Sequence, residues 1–365
     1  MKRVDGKRGP IPKKRMRLKD WVRREIVRGS YPPGSRLPDR DWFMREFATT
    51  RQLVTQAFAE LQSEGFVRAV RGHGTRVVDV LPFANRYLLL VKGAELDAGS
   101  HLCAPALAEA AKVVEGTRGV SFEVRGLVDA PPESDDYAAM LARVRRHHYA
   151  GVFTQQVTKG HDLDVVSNVD DVPCAFMGRR NELTQGSRAV ELEGYTDFTG
   201  RVLGLHLESC RDAGKGSVAI FKQLPVSRDP GSFEAMAQKV AAFGLRLVPN
   251  GYHAVAMDKW DEPVFRQLVR LFLASDAGRD AEAIVLTDDN FLKPFAEELK
   301  AALGRSAGKR YFITCLGNAP LLPRTDLPVC FHGVDWTATL SAFVDYSEAC
   351  RATGRPHAAP SVVLF

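Results

Sequence analysis

The sequence predicts an α/β protein in which a small amino-terminal winged helix-turn-helix domain precedes a two-lobed body of doubly wound parallel sheets. Basic charge is concentrated in the first part of the chain, and residues 18–80 have the spacing of three short helices and two strands. Beyond residue 86, apolar strands alternate with amphipathic helices, which is typical of parallel sheets covered on both faces. At 365 residues the chain is long enough for more than one hydrophobic core.

Charge divides the chain into two parts. Residues 1–78 contain 19 Lys and Arg against 8 Asp and Glu, a net charge of +11, whereas the remainder contains 31 against 36, a net charge of −5. A compact basic module joined to a mildly acidic body indicates that one end binds a polyanion. Residues 1–15 are rich in Lys and Arg and contain glycine and proline, which predicts a flexible basic arm. Such an arm either follows a groove of a nucleic acid or only makes the chain more soluble.

Neither a membrane anchor nor a secretory signal is predicted, because no apolar run reaches membrane-spanning length and none follows the basic start. We therefore expect a cytoplasmic protein with no membrane partner. The six cysteines are scattered without a C-x-x-C pair, which predicts buried thiols rather than disulfides or zinc ligands. No metal and no cofactor is predicted.

Three helices are predicted in the basic module. Helical spacing of apolar residues predicts the first over residues 18–29, and three prolines in residues 31–38 then make a stiff connector. Asp39 is placed to cap a second helix that ends near residue 47. Thr50 is placed to cap a third helix that ends near residue 64.

Two short strands are predicted after the third helix, over residues 66–70 and 75–80, around the turn Arg71-Gly72-His73-Gly74. This order of helices, turn and two-stranded wing is a winged helix-turn-helix. Such a domain can place the amino-terminal end of its third helix in the major groove of DNA. We call residues 16–80 the head and expect residues 81–85 to link it to the rest of the chain.

Short motifs throughout the head have the spacing of a known family. They are Gly29, Pro33-Gly34, Arg36-Leu37-Pro38, Thr50-Arg51, Val54, Ala57, Leu61, Glu64-Gly65 and Gly72-x-Gly74-Thr75. In these residues the chain resembles the DNA-binding domain of the GntR family of bacterial transcription regulators. One position departs from the family pattern, because Arg40-Asp41 reverses the usual acidic-then-arginine order.

The head is therefore expected to bind double-stranded operator DNA through polar and basic side chains. Arg51, Gln52 and Thr55 lie near the start of the third helix and outside its apolar face. With the contacts that the resemblance implies, the expected set is Arg36, Arg40, Thr50, Arg51, Gln52, Thr55, Arg71, His73 and Gly74. Paired half-sites on DNA demand two-fold geometry, which predicts a homodimer.

The rest of the chain predicts two successive doubly wound units. Apolar strands are expected at residues 87–93, 121–128, 151–157 and 172–178, and then at 217–221, 245–255, 283–287 and 310–317. We expect a first lobe mainly in residues 86–192 and a second lobe mainly in residues 193–318. The remaining carboxyl-terminal segment should cross between the lobes again.

Looser motifs carry a second resemblance. They are Asp197-x-x-Gly200 with His206-Leu207, Leu286-Thr287-Asp288-Asp289, and a short terminal strand at residues 361–365. In these features the body is similar to the sensor domain of LacI/GalR-type repressors, which has the periplasmic-binding-protein-like type I fold. A GntR-type head on this sensor resembles the arabinose-responsive repressors, and it implies a repressor whose operator affinity is controlled by a small polar ligand, best matched by a sugar, between the two lobes.

Ligands of open α/β sheets meet the carboxyl ends of the strands. The side chains expected at such positions are Lys92, Glu95, Arg179, Trp260, Asp288, Asp289 and Asn318. Carboxylates and amides can hold the hydroxyl groups of a polyol, and Trp260 offers an aromatic face to a sugar ring. A helix cap or solvated loop is an equal alternative for each polar residue, and Trp260 can equally pack between helices. Residues 231–234 lack the arginine that sugar-responsive members usually have there.

Sequence signals for catalysis are poor. Residues 212–217 lack the leading glycine and the Ser or Thr after lysine of a phosphate loop, and no G-x-S-x-G or H-E-x-x-H motif occurs. His147 and His148 are predicted at a solvated helix end. A binding protein is therefore predicted rather than an enzyme. The alternatives are an enzyme in the cleft with an autoregulatory DNA-binding head, a GntR-type protein with a different sensor, and a structural DNA binder that no ligand controls.

Overall fold

The computed structural model describes residues 11–93, 96, 102–128, 130–131, 133–155, 172–178, 189–194, 197–224, 233–256 and 260–365. The chain forms two compact units. The first comprises residues 1–93, 115–192 and 342–360, and the second comprises residues 94–114, 193–341 and 361–365. The head lies in the first unit. Among the described residues, no helix combines the length and the apolar character needed to cross a bilayer.

The head is a winged helix-turn-helix, as predicted. Its helices are α1 (Ile11–Val27), α2 (Arg40–Glu46) and α3 (Arg51–Ser63), and its wing pairs β1 (Val67–Val70) with β2 (Gly74–Val77) in antiparallel register. Both predicted caps form. The Asp39 carboxylate accepts a hydrogen bond from the Trp42 N–H at 2.8 Å, and Thr50 Oγ1 accepts one from the Leu53 N–H at 3.4 Å.

Helix α1 begins at Ile11, so the predicted start at Leu18 was wrong. Residues 11–15, which were expected to belong to a flexible arm, are helical. Pro12 is compatible with this because the N–H that proline lacks has no helical partner in the first turn. Sequence reasoning missed these turns because residues 13–15 are all basic and give no apolar periodicity.

An apolar core joins the three helices of the head to the wing. Its buried members include Leu18, Val22, Ile26, Phe43, Val54, Phe58, Leu61, Phe66 and Val77. In α1 and α3 these positions recur every three or four residues, as a helix with one buried face requires. The Trp21 ring covers part of this core, with its centre 5.2 Å from that of Phe47.

An ion pair between a buried arginine and a partly exposed glutamate joins α1 to the end of α3. Arg23 is fully buried and donates hydrogen bonds from Nε and Nη2 to Glu64 Oε2, the first at 3.2 Å. Its Nη1 donates to Asp20 at 2.8 Å, and Lys19 Nζ lies 3.1 Å from Glu64 Oε1. Because Glu64 is the C-cap residue of α3, the pair fixes that helix at the end remote from Arg51.

The first unit contains a five-stranded parallel sheet of order β4-β3-β5-β6-β7. Its strands are β3 (Arg86–Leu90), β4 (Ser121–Arg125), β5 (Gly151–Thr154), β6 (Cys174–Phe176) and β7 (Val190–Glu191). Helix α4 (Cys103–Arg118) follows β3 in the chain and runs from the second unit into the first, and α5 (Asp135–Arg145) lies between β4 and β5 in the chain. Strands β5 and β6 are buried throughout, as expected for a parallel sheet covered on both faces. We call this sheet and α5 the first lobe.

The second unit contains a second five-stranded parallel sheet, of order β12-β11-β10-β8-β9. Its strands are β8 (Ser217–Leu224), β9 (Arg246–Ala256), β10 (Ala283–Leu286), β11 (Phe312–Ala319) and β12 (Val329–Asp335). The later helices are α6 (Phe198–Asp212), α7 (Phe233–Ala241), α8 (Glu262–Ala274), α9 (Asp276–Asp280), α10 (Leu292–Leu303), α11 (Ala307–Arg310) and α12 (Trp336–Thr353). The predicted fold class, a helix-turn-helix domain followed by doubly wound parallel sheets, is therefore confirmed.

The carboxyl-terminal segment differs in detail from the prediction. Residues 361–365 form isolated bridges rather than a regular strand, Glu193 with Ser361 and Val334 with Leu364. Helix α12 begins in the second unit and ends in the first. Strand β12, the edge strand from which α12 starts, was not predicted.

The linker of residues 81–85 is held against the first lobe. Phe83 has a left-handed φ of 61° and stacks on His148, with ring centres 4.5 Å apart. The Arg86 guanidinium lies 5.2 Å from the centre of the same ring. Phe83 therefore contacts two side chains of the lobe.

The six cysteines are all free thiols. Cys174, Cys210 and Cys315 are buried, as expected. The other three are partly exposed, so burial was wrongly predicted for Cys103, Cys330 and Cys350.

Candidate functional site

The first candidate site is the exposed face at the start of α3. Arg51, Gln52 and Thr55 are exposed, whereas Val54 and Ala57 on the opposite face are buried. The amino-terminal end of a helix carries partial positive charge and unpaired N–H groups, which favour a phosphate. This end of α3 therefore presents guanidinium and amide donors beside an anion-favouring helix end.

The wing tip brings further basic groups to the head surface. Gly72 and Gly74 adopt left-handed φ values of 79° and 80°, which form the tight turn between β1 and β2. A Cβ atom at Gly74 would lie 3.3 Å from Arg36 Nε, so the Arg36 side chain lies directly beside the tip. Arg76, by contrast, donates from Nη1 to the Gly34 carbonyl at 2.8 Å and so joins β2 to the connector before α2.

The residues predicted to contact DNA are all exposed in the head. Arg40 is the first residue of α2, and Thr50 is the cap immediately before α3. The exposed set comprises Arg36, Arg40, Thr50, Arg51, Gln52, Thr55, Arg71, His73 and Gly74. None is needed for the head's apolar core, so this surface is available to a partner.

The second candidate site lies at the carboxyl ends of β10 and β11 in the second unit. The Asn318 amide donates from Nδ2 to Asp289 Oδ2 at 2.9 Å, and Asn318 Oδ1 accepts from the indole Nε1–H of Trp336 at 3.0 Å. Asp289 and Asn318 are each 6% exposed, and Trp336 is 1% exposed. We call these three residues the polar row.

Asp288 lies beside the polar row but has a structural role. Its Oδ1 accepts hydrogen bonds from the Asn290 N–H at 3.0 Å and from Asn290 Nδ2 at 2.7 Å, which caps the short turn Asp289–Phe291. The Asp288 carbonyl also accepts a weak bond from Cys315 Sγ at 3.7 Å. The cap places Asp289 opposite Asn318.

Trp260 packs against the aromatic core of the second unit. Its ring centre lies 5.3 Å from Phe265 and 5.5 Å from Phe291, and it borders the buried cluster around them. Phe291 is the last residue of the short turn that begins at Asp289, a member of the polar row. Trp260 therefore contacts the turn that carries Asp289, but only through the Phe291 ring. Its half-buried side chain therefore serves packing, whether or not a ligand also contacts it.

Lys92 belongs to the first unit and follows the end of β3. Its backbone N–H donates to Gln155 Oε1 at 3.0 Å, and the Gln155 N–H donates to the Leu90 carbonyl at 2.7 Å. Lys92 is thus at a strand-end position, beside an amide that the sequence had not indicated. Glu95 and Arg179, the other residues expected near this edge, lie outside the described residues.

Two residues at strand ends escaped sequence reasoning. Gln155 directly follows β5 and is 3% exposed, and Trp336 directly follows β12. A buried amide just after an apolar strand was an available signal for Gln155. Trp336 gave no signal because β12 itself was not predicted.

A pair of histidines connects α6 to strands β11 and β12. His206 Nδ1 lies 2.5 Å from Thr314 Oγ1, and His332 Nε2 lies 2.5 Å from Ser209 Oγ. Burial and the neighbouring His332 lower the pKa of His206 to about 3, so its ring is neutral near pH 7. Within the described ranges, no three His, Cys, Asp or Glu side chains are arranged to hold a metal ion.

The head matches a known protein family. Residues 14–77 match the model of the gntR family of bacterial regulatory proteins. The head is a gntR-family helix-turn-helix domain. The gntR-type head thus accounts for the basic module, for its two capped helices and for its glycine-containing wing.

A curated relative extends the likeness beyond the gntR-type head. It is YdfD of Bacillus subtilis (strain 168), described as an uncharacterized HTH-type transcriptional regulator, which is 25% identical over 304 residues. The match covers 79% of this chain and 58% of the relative, so the chain spans less than two thirds of that protein's length.

Solved structures share the fold of the body. A LacI family transcriptional regulator from Arthrobacter sp. FB24, in complex with lactose, is 13% identical with a TM-score of 0.50, covering 76% of this chain and 97% of that one. A LacI family regulator from Bifidobacterium animalis subsp. lactis DSM 10140 gives the same identity and TM-score, covering 77% and 94%. At this identity the likeness shows the fold alone.

Proposed function

We propose that the protein is a sequence-specific DNA-binding transcription regulator whose operator affinity is controlled by a small polar ligand. The observation that carries the proposal is the gntR-type head, in which all nine expected DNA-contacting residues are exposed around one recognition helix and one wing. The net charge of +11 over residues 1–78 supplies the long-range attraction to DNA.

We infer a repressor that acts as a homodimer and remains in the cytoplasm. Two heads related by a two-fold axis match the symmetry of paired half-sites. We propose that the effector-binding body consists of two lobes, formed mainly by residues 86–192 and by residues 193–318. A ligand can change DNA affinity only through different affinities for two conformations of the body.

The effector is proposed to be a neutral carbohydrate that meets the carboxyl ends of the parallel strands. Buried carboxylate, amide and indole N–H groups occur together in the polar row, which is the chemistry that holds hydroxyl groups. The lactose complex of a regulator with a similar body fold supports this ligand class. The proposed role of the body is binding, not catalysis.

DNA binding is tested by titrating the full chain against the DNA upstream of its own coding sequence. We expect selective binding, and a fall in affinity of about 10³- to 10⁵-fold between 50 and 200 mM salt if six to ten phosphates are contacted. A scrambled duplex of equal length and composition is the control. Equal affinity for both duplexes at every salt concentration would show that the head does not read sequence.

Effector binding is tested by thermal shift and calorimetry with neutral mono- and disaccharides, beginning with lactose. Asp289→Asn should weaken saturable sugar binding by about tenfold or more, because a carboxylate accepts stronger hydrogen bonds from hydroxyl groups than an amide does. Asp212→Asn, which alters an exposed carboxylate at the end of α6, is the matched control. If no sugar binds, or if both variants bind equally, the polar row is not the sugar site.

A further inference from the structure

A cavity of about 360 Å³ lies within the first unit, where the head meets the first lobe. The head contributes Ile26, Pro32 and Phe66 to its wall, and the lobe contributes Tyr149 and Ala150. The linker forms a further side through residues 81–84. Its volume is in the range of small-molecule sites, and most of its wall is apolar.

His147 lines this cavity and is buried, so the prediction of a solvated helix end was wrong for this residue. Helix α5 ends at Arg145, and His147 takes a left-handed φ of 56° that terminates the helix. The side chain is 5% exposed, and neither ring nitrogen has a hydrogen-bond partner among the described residues. An unpaired buried imidazole is costly, so this position favours a partner that enters the cavity.

The charges around the cavity favour an anion. Arg351 lines it, donating from Nη1 to the Ala150 carbonyl at 2.9 Å and from Nη2 to the Tyr87 hydroxyl at 3.5 Å. No carboxylate of the described residues lies within ion-pair distance of Arg351. Glu348, the carboxylate in the wall, lies 3.6 Å from Arg118.

The imidazole of His147 is kept neutral by the same surroundings. Burial lowers its pKa to about 3, with further contributions from Arg23, Arg24 and Arg28 on α1 and from His148. A neutral imidazole donates from one nitrogen and accepts at the other. It can therefore donate one hydrogen bond to an anion without adding charge of its own.

We propose that this cavity is a second ligand site, for a small organic acid with an apolar body. The carboxylate meets Arg351 and the N–H of His147, and the apolar body packs against the wall from Ile26, Pro32 and Phe66. The site is distinct from the polar row, which belongs to the other unit. Because its walls come from both the head and the lobe, an occupant contacts both and strengthens their attachment.

The test uses the full chain and benzoate as the probe, with benzamide and benzylammonium as neutral and cationic relatives of similar size. We expect saturable benzoate binding by calorimetry, with benzamide and benzylammonium at least tenfold weaker. His147→Leu and Arg351→Met should each weaken benzoate binding at least tenfold. Leucine removes the unpaired polar group but is strained at the left-handed φ of this position, so the thermal midpoint of His147→Leu is measured to establish that the variant is folded.

The matched control is His253→Leu in the second unit, which removes another buried histidine nitrogen that has no partner among the described residues. It should bind benzoate like the unaltered chain. The proposal is overturned if benzoate does not bind saturably, or if benzamide binds as tightly as benzoate. It is also overturned if both cavity variants retain full affinity.

Discussion

Replacing Arg51 by alanine should weaken binding to the selected operator by about 10- to 100-fold, the equivalent of about 1–3 kcal/mol for one bidentate base contact. Arg51 is the first residue of α3 and is exposed. Its side chain is not part of the head's core, so the loss should appear in DNA affinity and not in the thermal midpoint. Fluorescence anisotropy with operator and scrambled duplexes measures both affinity and selectivity.

Arg68→Ala is the matched control for this experiment. It removes the same charge from the head, but Arg68 lies on β1 and is paired with Asp79 at 2.8 Å. Its loss should lower affinity for both duplexes slightly and equally. Arg40→Ala should also cost less than Arg51→Ala, since Arg40-Asp41 reverses the order that the family usually has. A selective loss with Arg68→Ala and none with Arg51→Ala would place the recognition surface elsewhere.

Replacing Glu64 by alanine should destabilise the head by about 3 kcal/mol, because it leaves the fully buried guanidinium of Arg23 without its main partner. Asp20 still accepts one hydrogen bond, which keeps the cost at the low end of the usual range. Chemical denaturation in a background with Trp260 and Trp336 replaced by phenylalanine leaves Trp21 and Trp42 as the fluorescence reporters of the head. A double change, Arg23→Met with Glu64→Leu, should restore most of the stability, because no buried charge remains.

Acid should remove part of this stability. Desolvation alone would raise the pKa of Glu64, but hydrogen bonds and charge from Arg23 and Lys19 outweigh it and hold the pKa below its ordinary value of 4.5. A carboxyl whose pKa is lower in the folded state stabilises the fold above its unfolded pKa, and this contribution is lost as the pH falls through the folded pKa. Glu64→Gln should therefore flatten the stability curve below about pH 4.5.

The control for both measurements is Glu109→Ala, which breaks an exposed pair with Lys112 and should cost less than about 1 kcal/mol. If Glu64→Ala and Glu109→Ala lower the free energy of unfolding by the same amount, the Arg23–Glu64 pair does not hold α1 against α3.

Local signals made much of the fold predictable from sequence. Asp39 and Thr50 predict the starts of α2 and α3, because an N-cap side chain accepts a hydrogen bond from an N–H group only two or three residues away. Eight of the ten strands in the two sheets are apolar runs between amphipathic helices, so their positions along the chain could be predicted without knowledge of any distant contact, whereas β7 and β12 were missed. The start of α1 was missed because its first turns carry no apolar face.

The parts that could not be predicted depend on residues far apart in the chain. The polar row joins Asp289, Asn318 and Trp336 across three strand ends, and nothing in the spacing of these residues indicates it. His147 is buried beside parts of the head that lie 81 to 121 residues earlier in the chain, from Phe66 back to Ile26. In both cases the packing of remote segments, not a local pattern, decides the environment of the side chain.

The contacts of Phe83 with His148 and Arg86 bear on how a pair of heads would find DNA. A head on a loose tether can reach half-sites over many separations, but it loses conformational freedom each time it binds. A head anchored by its linker has already lost that freedom and has a short reach. Operators would then be distinguished by the distance and rotation between their two halves as well as by their bases.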